Sequence, residues 1–157
     1  MKSGLGSRRG GSEALASLML FTVLIASTFM AYSYALNTLR RNVDLAEAVL
    51  RLHEAVVEVA YRPGSSRLVK LCVPEGCRIE FRGNSMIVYG LRGDLIPLLR
   101  RTGKGVLLGA RLREDGVLLV FYDAGFNDYT VTSGYHSIIV VSGGFGKVII
   151  TERWRKG

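Results

Sequence analysis

The sequence predicts an α+β protein: a long N-terminal hydrophobic helix followed by a small antiparallel β-domain, sandwich-like in character. Three observations carry that prediction. Residues 14–39 form an uncharged, mostly apolar run of 26 residues, more than the roughly 20 that a helix needs to cross a bilayer. From Ser12 to Arg62 there is neither proline nor glycine, so nothing interrupts a helix. After Pro63-Gly64 the pattern changes to short apolar stretches set apart by Pro-Glu-Gly, Glu-Asp-Gly and Gly-rich segments, the pattern of strands joined by tight turns.

The elements follow in order. Residues 1–10 are small, basic and Gly/Ser-rich and read as a leader. Ser12 is placed to cap a helix, and Glu13 suits the positive end of its dipole. One helix is expected from about residue 12 to residue 61, within a segment 11–62. Its length at ~1.5 Å per residue is roughly 75 Å. To about residue 39 it is apolar all round, long enough for a membrane span. Beyond that it turns amphipathic. Asp44, Glu47, Arg51, Glu54, Glu58 and Arg62 form one charged stripe, with Glu47–Arg51 and Glu58–Arg62 as favourable pairs four apart. Leu45, Val49, Leu52, Val56 and Val59 line another face, widened by Val43, Leu50 and Val57. That face must bury against something, and the domain at 63–157 is the nearest surface. In that domain strands are expected at 67–73, 77–82, 86–89, 105–113, 117–122, 129–132, 137–141 and 147–151. Residues 94–101, with Pro97, read as a short helical turn or an irregular connection.

Composition limits the chemistry. The chain has 157 residues and a net charge of +8, of which Lys2, Arg8 and Arg9 supply three, so loss of residues 1–10 leaves +5. The basic residues are spread out, with no basic stripe interleaved with aromatics, and a nucleic-acid partner is not expected. The only histidines, His53 and His136, lack ligand spacing, so no metal site is expected. The segment from Ser142 to Lys147 contains Gly-Gly-Phe-Gly but lacks the first glycine and the hydroxyl residue of a phosphate loop. It reads as a glycine-rich hairpin. No paired carboxylates and no Ser/His/Asp or Cys/His arrangement emerge, so neither catalysis nor a cofactor is expected. His136 reads as a surface or half-buried histidine. The aromatics at 121–122 and 126–129 read first as core and second as an adhesive or subunit contact. Cys72 and Cys77 flank Val-Pro-Glu-Gly, which reads as a hairpin tip. Outside the cell such a pair is expected to form a disulfide, stabilising only modestly, by roughly 2 kcal/mol, because the loop is short.

The front edge of the apolar run discriminates further. Arg8-Arg9-Gly10-Gly11-Ser12-Glu13 sets a basic pair, a glycine and a lone acid at its lip. This arrangement resembles the N-terminus of archaeal type IV pilins and pilin-like proteins with a class III signal peptide. The resemblance covers residues 8 to about 40. It implies cleavage after Gly10 by a prepilin peptidase that reads Arg8, Arg9, Gly10 and Gly11, and retention of the helix as the packing element of a filament. It also implies a pairing of Glu13 with a neighbour's terminal amine during assembly with other pilin copies. Residues 71–76 and 79–84 are similar to the first strands of some pilin-like ectodomains. The chain departs from abundant pilins in having no Asn-x-Ser/Thr sequon at Asn37, Asn42, Asn84 or Asn127, which bears on a major-subunit role. Two other readings of the leader stand beside this one: a plain N-terminal anchor, and a secretory signal cleaved near Ser33-Tyr34-Ala35. Lys2, Arg8 and Arg9 favour a cytosolic N-terminus, which puts the β-domain outside. The expected function is thus a structural pilin-like subunit, held in the membrane before assembly and at the cell surface after it. The alternative is a single-pass anchored extracellular binding module.

Overall fold

The computed structural model describes residues 8–103 and 105–153, with side chains from Ser12 onward. Helix α1 runs from Arg8 to Val59 (52 residues). It starts earlier than expected: the backbone is already helical through Gly10 and Gly11, so Ser12 lies inside the helix rather than at its cap. Six strands follow: β1 (Ser66–Val73), β2 (Arg78–Tyr89), β3 (Leu107–Leu112), β4 (Leu118–Val131), β5 (Gly134–Ser142) and β6 (Lys147–Glu152). A short helix, α2 (Ile96–Thr102), starts with Pro97 in its first turn, and Asp94 Oδ1 accepts the Ile96 amide at 2.9 Å.

The chain divides into two units, Met1–Arg40 and Arg41–Gly157. The cut falls inside α1, where the uncharged run meets Arg40-Arg41. In the second unit the strands make one curled sheet in the order β1-β5-β6-β4-β2, with β3 also pairing β4. The ladders are antiparallel except a short parallel β4–β6 contact at Gly125 and Phe126. The α+β class is as expected, but the layer facing the sheet is not a second sheet. It is α1 itself, residues 41–59, whose Leu45, Val49, Leu52 and Val56 are wholly buried in the same core as Ile79, Phe81, Met86, Val120 and Ile138. The apolar stripe of the amphipathic half is therefore the core-forming face, and Ala48, Ala55 and Ala60 belong to it while Val43 is exposed.

Eight short strands become six longer ones. Residues 77–82 and 86–89 join into β2, because Gly83 makes a bulge in the β2–β4 ladder instead of a turn. Residues 117–122 and 129–132 likewise join into the 14-residue β4. The Glu-Asp-Gly hairpin between β3 and β4 and the Gly-rich connection between β5 and β6 lie where the sequence puts them.

The cysteine hairpin is corrected. The 74–77 turn exists, with the Cys77 amide on the Pro74 carbonyl at 3.1 Å. The strands it joins are not partners, however: β1 pairs β5 and β2 pairs β4. Leu71 and Val73 point into the core, so alternation turns Cys72 to the opposite face. Cys77 is buried, its Sγ 3.4 Å from Arg41 Nη2 and 3.9 Å from the Gly90 carbonyl. Both thiols are free, and no disulfide joins them.

Candidate functional site

Three places carry chemistry. The first is the apolar half of α1. Ser12–Val59 contains a window long and apolar enough to cross a membrane, and none of that window is buried within the chain. Large side chains such as Leu20, Phe29 and Met30 are about 70% exposed. Polar side chains there are returned to the helix: the Thr22, Thr28 and Thr38 hydroxyls each donate to the carbonyl four residues earlier at 2.8–2.9 Å. A hydroxyl satisfied in this way presents mainly its methyl group outward, which suits an apolar surrounding. Glu13 is exposed and forms no ion pair among the described residues. Arg8, Arg9, Gly10 and Gly11 form the first helical turn by backbone; their side chains, and leader residues 1–7, lie outside the described set.

The second place is an open hollow of about 790 Å³ in the β-containing unit. Its helix wall is Asp44, Glu47, Ala48 and Arg51, one stripe at helical spacing. Arg51 spans the gap, pairing with Glu47 and donating through Nη1 to the Lys70 carbonyl on β1 at 2.9 Å. The sheet wall is made by the ends of β1, β5 and β6. There His136 is held at both ring nitrogens, with Nδ1 3.0 Å from Glu152 Oε1 and Nε2 2.9 Å from the Thr132 carbonyl. Tyr135 stands on the rim, 90% exposed. Burial raises the Tyr129 hydroxyl above its ordinary pKa, and the Glu152 charge adds to the shift. Cys72 and His136 both border this hollow, yet they do not form a catalytic couple. Cys72 is in register with Tyr135, and Leu71 with His136, so alternation sends the thiol and the imidazole to opposite faces.

The third place is in the core. His53 of α1 is wholly buried, with Nδ1 2.8 Å from the Tyr122 hydroxyl of β4. Its Nε2 lacks a hydrogen-bond partner of good geometry. Burial lowers its pKa to about 4, partly opposed by the nearby Leu99 backbone. Burial also pushes the Tyr122 hydroxyl far above its usual range. The pair is neutral, so it orients rather than reacts. Tyr122 continues into an edge contact with Phe126, which tilts against Phe81; this aromatic cluster is core. His53 was legible as a polar residue on the apolar face of the helix. The hollow was not, because four separate elements build it and no local pattern marks it.

Among the described residues no group of three or more His, Cys, Asp or Glu side chains gathers to hold a metal. No family model, no characterised protein and no solved structure matches the chain.

Proposed function

We propose that the protein is a structural pilin-like subunit of a type IV pilus-like surface filament, processed after Gly10 and held in the membrane by α1 before assembly. The observation that carries this reading is the unburied apolar half of a helix whose other half is fully committed to a core. Outside a bilayer, leaving side chains of the size of Leu20, Phe29 and Met30 in water costs about 1.5–3 kcal/mol each. Only lipid or other copies of the same helix remove that cost. Glu13 supports the filament fate over the permanent lipid fate. A carboxylate at the edge of a span is costly without a partner, and the terminal amine of a processed neighbour supplies one.

A single-pass anchored binding module is the second reading. The open hollow favours it, being a seat large enough for part of a partner. Intact-mass measurement of the native protein separates the two. A start at Gly11 supports the filament subunit. A start at Met1 supports the anchored module, and a start at Leu36 would remove both.

A further inference from the structure

The chain leaves the described residues at the hollow itself. Arg153, the last of them, lines the hollow beside Glu152. Its amide donates to the Ser137 carbonyl at 2.7 Å, one step past the Ile138–Glu152 rung of the β5–β6 ladder. Beyond that step Tyr135 and His136 pair with β1 alone among the described residues. β6 therefore delivers the chain to the wall of the hollow beside an unpaired stretch of β5. Val148 and Ile150 are buried on the helix-facing side of β6. Glu152, which meets His136 there, is next in that series, and by alternation position 154 follows it. Position 154 is tryptophan, the only one in the chain. Consecutive Cα atoms lie ~3.8 Å apart, so this ring is tethered one residue from the lining.

We infer that the Trp154 ring seats in the hollow, so that the segment following β6 closes it. Charge does not choose the occupant: Asp44, Glu47 and Glu152 in the lining are balanced by Arg51, Lys70 and Arg153. What the lining offers is an amphipathic seat. Ala48 and Leu71 are its apolar part. Arg51 crosses from the helix to the Lys70 carbonyl, and an indole face is the aromatic surface that a guanidinium prefers. The indole N–H is a donor only. The Asp44 carboxylate, which forms no ion pair among the described residues, is an acceptor for it. An apolar ring with one polar donor fits this lining better than a strongly charged ligand does. Tethering favours this ring over any free one, because a short link gives an effective concentration on the order of millimolar. The contact is independent of the filament reading. It qualifies the anchored-module reading, since a partner seated in the hollow must first displace Trp154.

Because Trp154 is the sole tryptophan, the intrinsic fluorescence of the full chain in detergent reports on it alone. Its emission should be blue-shifted from that of a solvated indole and shielded from acrylamide. Asp44→Arg should shift the emission to the red and raise acrylamide quenching several-fold, with the circular dichroism of the sheet unchanged. A second measurement keeps the test decisive if that variant misfolds. A nitroxide on Asp44→Cys, with Cys72→Ser, should quench the emission strongly. The same label on Lys147→Cys, at the other end of β6, should not. A solvated emission from the wild-type chain overturns the inference. A shielded emission that responds neither to Asp44→Arg nor to the nitroxide at position 44 also overturns it, in favour of a ring covered by detergent or by another copy. Equal quenching from the two labels overturns it as well. None of these outcomes bears on where the mature chain starts, which tests the filament reading separately.

Discussion

The two halves of α1 obey the same helical geometry and face different solvents. In residues 41–59 apolar side chains recur on one face, the charged ones sit on the other, and the centre of the apolar face, from Leu45 to Val59, is buried against the sheet. In residues 12–39 the apolar side chains surround the helix and none is covered by the chain. The first pattern specifies a partner inside the molecule. The second leaves its apolar surface uncovered by the chain. Helix propensity does not distinguish the halves; the angular distribution of charge does. A folded domain and an unsatisfied apolar rod are thus encoded in one uninterrupted helix, and the rod is what calls for a membrane or an assembly.

The same deletion applied to each half gives the largest expected contrast. Leu52→Ala removes a wholly buried side chain and should lower the stability of the β-containing unit by about 3–5 kcal/mol. Leu20→Ala, in the exposed half, should leave that unit's chemical unfolding curve unchanged. Urea denaturation in detergent, followed by a β-sheet signal, measures both. A comparable loss from the two variants would mean the halves are not distinct.

Acid should weaken only the packed half. His53 is held neutral by burial, with a pKa of about 4 in the fold against 6.5 in the open chain. Between those values the unfolded chain binds the proton and the folded one does not. The contribution is fully present above pH 6.5, declines as pH falls, and is gone below about 4. It amounts to roughly 3 kcal/mol. Other groups also titrate in this range, so the discriminating quantity is the difference from His53→Leu. That variant should show a flatter stability profile from pH 7 to 4. Parallel profiles would mean His53 is not kept neutral by the core.

Gly90 sharpens the comparison at the point where the sheet closes on the helix. It adopts φ +88°, and an added Cβ would lie 2.9 Å from the Cys77 sulfur that Arg41 contacts. Gly90→Ala should cost about 2 kcal/mol through strain and displacement of that sulfur, and should raise the reactivity of Cys77 toward thiol reagents. The smallest effect belongs to the surface. Arg67 bridges Glu58 and Glu54, but all three side chains are more than 40% exposed. Arg67→Ala should change stability by about 0.5 kcal/mol or less, with a larger loss showing that this clasp of β1 to the helix is not a screened surface pair.

Much of the fold is legible in the sequence. The span, the amphipathic stripe and the β3–β4 and β5–β6 hairpins are local patterns, and local patterns can be read. What failed was the meaning of isolated glycines and the pairing of remote strands. Gly83-Asn84 has the composition of a turn, yet β2 runs through it as a bulge because Ile79, Phe81, Met86 and Val88 on both sides bury in one core. Cys72 and Cys77 look like hairpin partners because only Val-Pro-Glu-Gly separates them. Their strands pair elsewhere, and alternation along β1 turns the two sulfurs apart. The hollow depended on the same remote pairings, since it exists only where β1, β5 and β6 end beside the Asp44–Arg51 stripe. Glu13 is the opposite case: its place at the lip of the span is displayed directly by the sequence.

The central claim is that the exposed half of α1 is satisfied by other copies after processing, with Glu13 as the pairing carboxylate. It is tested most directly by counting the subunit in sheared filaments and in membranes, for wild type and for Glu13→Ala. Wild type should appear in the filaments beginning at Gly11. Glu13→Ala should insert and fold normally and remain in the membrane fraction. Equal incorporation of the variant would contradict the role of Glu13, and confinement of the wild-type protein to membranes would contradict the filament itself.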